Sequence, residues 1–252
     1  MREPVASSKF ATGVAMKKSR KVLIISGVCV LVLGGAAAIA GPVIYRDFIS
    51  APAAQAPTVG NDAAGQESTP VALDPAALAG SWVVADGSEA GYRVNEVLNG
   101  TAVTVTGRTS DVSGTFTIGA SGLTLEAAEL TVDVASIATD SGNRDSYFRD
   151  QAMRVGEFPT ATFTLTEAVT LAAAPGTNEV VQAQAVGTLT LAGVSGTVTA
   201  DVQVKSDGSS AEIAGSIPIT FADFGVEAPN LGFVSVEPNG QVEFQLTATR
   251  RT

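Results

Sequence analysis

The residues most able to do chemistry lie together in one stretch, NRDSYFRDQAMRVGEFPTATF, at positions 143–163. This stretch combines Asp and Arg with aromatic residues, a Met and a Pro, whereas most of the chain is rich in Ala, Val, Thr and Gly. Such a set could form a carboxylate-based active site, a metal site, a lid over a cavity, or a charged surface helix.

Catalysis and metal binding both fit this stretch poorly. The chain has no His and one Cys, which removes Ser-His and Cys-His nucleophilic systems and nearly all zinc sites. Asp145 and Asp150 each precede an Arg by four positions, and on a helix such a partner keeps a carboxylate ionised instead of raising its pKa for catalysis. Together with Asp140 they lack the alternating oxygen ligands and central Gly of a calcium loop. We expect no catalytic residue and no bound metal.

The stretch instead predicts a short helix, over about residues 143–154, followed by a strand. Pro159 holds Phe158 in an extended conformation, so the helix must end before it. We expect Arg144 and Asp145 to brace the helix against its neighbours. Its apolar underside would close one end of a barrel as a lid, formed by Tyr147, Phe148, Met153 and Phe158.

The N-terminal part of the chain has the pattern of a membrane anchor. No charged residue occurs between Val22 and Ile44, a length that can span a hydrocarbon core of about 30 Å as a helix. The basic residues before it predict a cytoplasmic tail over 1–21 and a transmembrane helix, or signal anchor, over 22–44. The alternative is a signal peptide cleaved after Ala40, which would release a secreted protein. Both alternatives place the rest of the chain outside the cytoplasm.

Residues 45–80 read as a linker, because 51–80 are dominated by Ala and Pro and contain no aromatic or basic residue. Such a segment buries too little apolar area to offset its ordering entropy, so we expect disorder. Beyond Ile44 the chain has nine basic and 24 acidic residues. That excess argues against nucleic acid as a partner, because phosphate contacts need a basic patch.

Residues 81–252 form the main domain, and their dominant period is two. Apolar side chains alternate with Thr and other polar residues in short segments separated by Gly, Asn, Asp and Ser, which is typical of strands. This predicts an all-β fold, a sandwich or an antiparallel barrel of about eight strands. Small residues such as Ala183, Ala185 and Gly187 share a row with Leu189, and they leave room either for neighbouring strands or for a bound molecule.

Several motifs of this domain resemble those of the YceI-like family. The stretch 143–163 resembles the family's Arg-Asp motif, short helix and Phe-Pro dipeptide before a Thr-Phe strand. VSGTFTI (112–118) precedes it, and GTLTLAGVSGTV (187–198) and ITFADFGVEAP (219–229) follow it, in the family's order. Tyr147 and Ser88-Glu89 stand where members often have His, a departure that resembles an actinobacterial, membrane-anchored form.

The resemblance implies an extended lipocalin-like barrel that holds a long isoprenoid, a polyprenyl quinone or polyprenyl phosphate, for transport, storage or sequestration. It implies no cofactor beyond that lipid and a helix near the barrel mouth. The alternative is a non-catalytic envelope module with a filled core. Taken position by position, the implied cavity lining is Phe116, Ile118, Leu130, Val132, Phe163, Leu165, Leu189, Leu191, Ile217, Ile219, Phe221 and Phe244.

Overall fold

The alternating segments form ten strands in the computed structural model, which describes residues 53–60, 71–98, 100–232 and 234–251. The β-branched residues Val, Ile and Thr favour this extended, half-buried backbone. The strands are β1 (Gly80–Leu98), β2 (Thr101–Thr109), β3 (Val112–Ile118), β4 (Thr124–Asp133), β5 (Thr160–Leu165), β6 (Val169–Thr170), β7 (Val181–Leu191), β8 (Val194–Ser206), β9 (Ser210–Thr220) and β10 (Val234–Arg250).

Eight of these strands close into an antiparallel ring, in the order β1, β3, β4, β5, β7, β8, β9 and β10. The ring closes because β10 pairs with β1, for example through Trp82 and Arg250. The second half of β1 also pairs with β2, and β6 pairs with the start of β4. The predicted all-β barrel of about eight strands is therefore confirmed.

Little of the described chain is helical. A one-turn helix, α1 (Pro75–Leu78), precedes β1, and α2 (Gly142–Tyr147) continues into a π-helix over Phe148–Ala152 between β4 and β5. The carboxylate of Asp74 caps α1 by accepting from the Ala76 N–H at 3.0 Å. Single 3₁₀ turns occur at Val134–Ser136 and Phe221–Phe224.

Two pieces of the predicted disordered linker are ordered against the barrel. Residues 53–60 cross its outer face, where the Arg93 guanidinium donates to the Ala54 carbonyl at 2.6 Å and Val59 is buried. Residues 71–79 lie at one end, where Leu73 N–H donates to the Pro175 carbonyl at 2.9 Å. The linker prediction is wrong for these pieces, because the barrel supplies partners that composition alone does not reveal.

The predicted cytoplasmic tail, the anchor over 22–44 and the start of the linker lie outside the described residues. Within the described ranges, no helix has the length and hydropathy needed to cross a membrane.

Candidate functional site

The barrel encloses an apolar cavity of about 250 Å³. Inward side chains of every strand of the ring line it, and among the described residues the polar ones in the lining are Thr162, Glu179 and Ser206. On β7 the lining runs from Val181 to Leu189, which at about 3.3 Å per residue is roughly 25 Å along the strand. The cavity is therefore long, narrow and almost wholly hydrocarbon.

Most of the residues that the sequence suggested for the lining are on the cavity wall. The ones that line it are Phe116, Ile118, Leu130, Val132, Phe163, Leu165, Leu189, Ile217 and Phe244. They reach it because each sits at an inward position of a regularly alternating strand. Their role as ligand contacts remains a prediction.

Leu191, Ile219 and Phe221 are not part of the wall, and the reason is local. Leu191 is buried in the packed core at the end of β7. The pairing of β9 with β8 stops at Ser216, so Ile219 faces a separate cleft of about 640 Å³ between the diverging strands. Phe221 lies past the end of β9 in a 3₁₀ turn, where strand alternation no longer applies.

Alanines form much of the rest of the wall, and of these the sequence pattern pointed to Ala183 and Ala185. They lie on the same faces as the larger side chains, and strand alternation extended through them would have found the others. The alanines of the wall are Ala90, Ala128, Ala161, Ala183, Ala185, Ala200, Ala211 and Ala248. Their short side chains leave the central space open, which favours room for a bound molecule over a filled core.

Two glycines set the position of two phenylalanine rings of the cavity wall. A Cβ at Gly187 would lie 2.4 Å from Cζ of Phe163, and a Cβ at Gly215 would lie 2.6 Å from Cζ of Phe244. A Cβ atom essentially never lies this close to another atom. Each ring therefore occupies the space that a side chain at the glycine position would take. The rings therefore lie against the wall instead of crossing the cavity.

One end of the barrel opens toward three turns, at residues 119–123, 171–180 and 206–210, and we call this end the mouth. Each turn contributes to the lining, through Leu123, Pro175 and Ser206 among others. Leu78 of α1 lines the cavity at the same end, and its carbonyl accepts from the Trp82 indole N–H at 2.9 Å.

The opposite, closed end contains the helix that was predicted to lie by the mouth. The chain leaves β4 and enters β5 at that end, so α2 and the π-helix between them must lie there. Phe148 stacks on Tyr92 with ring centroids 4.8 Å apart, and Met153 is buried in the core. Phe158 contacts Gly193 and lies under the Arg154 guanidinium. Among the described residues, neither these nor Tyr147 line the cavity, and their role as a lid stays a prediction.

The charges of α2 fasten the closed end. Arg144 donates to Glu96 of β1 at 3.1 Å and to Asp140 at 2.7 Å. Burial lowers the pKa of Arg144, but the two carboxylates outweigh it and the pKa rises. Burial also raises the pKa of Tyr92. Arg144 therefore stays charged and Tyr92 stays neutral at neutral pH, and both act as structural contacts.

The predicted pairs of Asp145 with Arg149 and of Asp150 with Arg154 do not form. Asp145 is buried and accepts from both the N–H and the hydroxyl of Thr139, at 2.9 and 2.7 Å. The π-helix shifts side chains off the spacing of four, and Arg154 donates to the Ala192 carbonyl. Pro159 directly precedes β5, as expected, and its carbonyl accepts from Val134.

A second ionic cluster lies on the outer face, beneath residues 53–60. The carboxylate of Glu243 is fully buried and pairs with Arg93 at 2.6 Å and with Arg108. Arg108 also donates to the carbonyls of Tyr92 and Gly107. Among the described residues, no group of His, Cys, Asp and Glu could hold a metal ion.

Comparisons with known proteins agree with this geometry. The family model described as "YceI-like domain" matches residues 82–248. A polyisoprenoid binding domain from Saccharophagus degradans, implicated in plant cell wall breakdown, has 19% identity and a TM-score of 0.53, covering 69% of this chain and 99% of its own. BcnA from Burkholderia cenocepacia has 23% identity and a TM-score of 0.47, covering 63% and 96%. No curated protein sequence matches the chain. The chain belongs to the YceI-like domain family.

Proposed function

We propose that this protein binds a long-chain isoprenoid lipid in its barrel cavity, outside the cytoplasm, for transport, storage or sequestration. The observation that carries the proposal is the narrow cavity, to whose lining the described residues contribute three polar side chains. Each buried methylene contributes about 0.8 kcal/mol, so a hydrocarbon chain gains affinity along the whole wall without polar contacts. The similarity to a polyisoprenoid binding domain supports the same ligand class.

The charges around the cavity favour an uncharged head group. Glu179 is the one charged residue that the described part of the chain contributes to the lining, and a phosphate buried beside it would have no cation from these residues to offset its desolvation. Arg250 is exposed at the mouth and donates to the Ala77 carbonyl at 3.5 Å. A polyprenyl phosphate would have to leave its head group outside, beside Arg250, whereas a quinone can enter the cavity.

Mass spectrometry of an organic extract of the purified full chain tests the proposal. We expect an isoprenoid in the natural protein and none in Phe163→Asp, which puts a charge on the apolar wall. Thr164→Asp is the matched control, because the neighbouring Thr164 is exposed. Circular dichroism must show that both variants fold. A natural chain that carries no isoprenoid and takes up neither decaprenyl quinone nor decaprenyl phosphate would contradict the proposal.

The location outside the cytoplasm rests on the uncharged segment between Val22 and Ile44 and the basic residues before it. Alkaline phosphatase fused after Thr252 tests it, because that enzyme needs an oxidising compartment for its disulfides. We expect an active fusion. A fusion that is inactive, although present in full length, would place the barrel in the cytoplasm.

A further inference from the structure

Residues 71–79 cross the mouth of the cavity from one side of the barrel to the other. A Cβ at Gly122, in the turn between β3 and β4, would lie 2.0 Å from the carbonyl oxygen of Pro75. A Cβ at Gly208, in the turn between β8 and β9, would lie 3.7 Å from Cβ of Ala77. Four strands of the ring separate these two turns in either direction, so a segment that touches both spans the full width of the mouth.

A third turn holds the start of the segment. Ala72 and Gly176 form an isolated antiparallel bridge, in which Leu73 N–H donates to the Pro175 carbonyl and Thr177 N–H donates to the Val71 carbonyl, at 2.9 and 2.8 Å. The Leu78 side chain is buried where it lines the cavity. The segment thus closes the mouth at its rim and fills part of the opening.

The contacts that hold the segment are separate from the pairings between strands of the ring. They include the bridge to Gly176 and the bond between Trp82 and the Leu78 carbonyl. A helix as short as α1 has no stability of its own. Gly80, which follows the segment, has φ +114, a conformation that other residues rarely adopt. That glycine is the first residue of β1 and is the point at which the segment can turn relative to the strand.

We propose that residues 71–79 are the gate of the cavity, which turns at Gly80 and must leave the turns at 119–123 and 206–210 before a lipid can pass. The inference rests on the proposed function and adds the step that controls entry of the lipid. It also predicts that the closed end, with Tyr92 and Phe148, is not the route of uptake.

A disulfide that locks the segment tests the gate directly. The 3.7 Å between Cβ of Ala77 and the Cβ position of residue 208 lies within the range that a disulfide spans. The variant is Ala77→Cys with Gly208→Cys in the full chain, and Cys29→Ala removes the one native thiol. Gly208 has φ +90, so Gly208→Cys alone is the control for backbone strain.

Trp82, the one tryptophan of the chain, lines the cavity and provides the readout. Phosphatidylcholine vesicles that carry ubiquinone with a decaprenyl tail are mixed with the protein, and quenching of Trp82 fluorescence follows the quinone as it enters. We expect the oxidised variant, its disulfide verified by mass, to be quenched about tenfold more slowly or not at all, and reductant to restore the natural rate.

The outcomes separate the gate from the function. Equal rates for the oxidised and reduced double variant would overturn the gate and leave lipid binding intact. Absence of quenching in the natural chain, together with an empty lipid extract, would overturn both. A second variant needs no disulfide: Leu78→Ala shortens the side chain that fills the opening and should speed quenching, whereas Val71→Ala, at a 72% exposed residue of the same segment, should not. An unchanged rate in Leu78→Ala would contradict the gate.

Discussion

The ring of Phe163 lies over Gly187 so closely that a single added methyl group would overlap it: the Cβ position of residue 187 is 2.4 Å from the ring. The two residues are diagonal neighbours on adjacent strands, since Phe163 pairs with Leu189 and Leu165 pairs with Gly187. The cavity is therefore this wide at the level of Phe163 because residue 187 has no side chain.

Gly187→Ala should narrow the cavity and weaken lipid binding. The new methyl group must push the Phe163 ring toward the lumen, and overpacking of this kind costs about 1 to 3 kcal/mol in stability. We expect a lower midpoint in urea unfolding and less isoprenoid per mole of protein in the organic extract.

Gly142→Ala is the matched control for that experiment. Nothing lies within 4 Å of a Cβ at Gly142, in the first turn of α2, so this change should be neutral or stabilising by up to about 1 kcal/mol. If Gly187→Ala is equally harmless and keeps its lipid, the ring has room to move and the width is not set at this level.

Trp82→Phe should loosen the segment across the mouth. The change removes the only donor found for the buried Leu78 carbonyl among the described residues, and an unsatisfied buried acceptor costs about 1 to 3 kcal/mol. We expect a lower free energy of unfolding and faster amide hydrogen exchange at residues 76–79.

Phe116→Leu separates these two effects, because Phe116 pairs with Trp82 in the same layer but does not contact the segment through a hydrogen bond. It should lower global stability while exchange at 76–79 stays at the natural rate. Equal exchange in both variants would show that the indole bond does not hold the segment.

Glu243→Gln should destabilise the barrel. The fully buried carboxylate lies between two guanidinium groups, and without its charge Arg93 and Arg108 repel each other with no anion between them. Removing one partner of a buried ionic cluster costs about 3 kcal/mol or more. Urea unfolding measures the loss, with the outward and exposed Glu129→Gln as control. A loss no larger than that of the control would mean that water screens the two arginines.

Asp207 should give a pH-dependent contribution to stability at the turn between β8 and β9. Backbone N–H groups of Ser210 and Ser209 donate to its carboxylate and lower its pKa to about 2. A lowered pKa stabilises the fold above the ordinary value near 3.8, and this stabilisation is lost as pH falls toward 2. Asp207→Asn should therefore be slightly less stable than the natural chain at neutral pH, by less than about 1 kcal/mol because the group is exposed. A difference that stays constant on acidification would contradict this account.

Strand alternation was enough to predict most of the barrel. Phe116, Phe163 and Phe244 face inward, as their place in the alternating pattern required. Alternation gives no guidance beyond the end of a strand, and Phe221, expected on the cavity wall, lies in a 3₁₀ turn.

The position of the helix and the order in the linker could not be read from local patterns. The end of the barrel at which α2 lies depends on the direction of the strands in the closed ring. That direction is known only when the pairing of β4 with β5 is known. Residues 71–79 have too few apolar side chains to suggest order. They are held by partners such as Pro175 and Thr177, which lie about a hundred positions away in the sequence.

The pairing of β1 with β10 has a consequence for biosynthesis. These are the first and last strands of the barrel, so the wall stays open until β10 has left the ribosome. Contacts of such high sequence separation form late and slowly. A chain in which β10 has not yet paired with β1 has no enclosed lumen, so the proposed lipid would enter only after this pairing has formed.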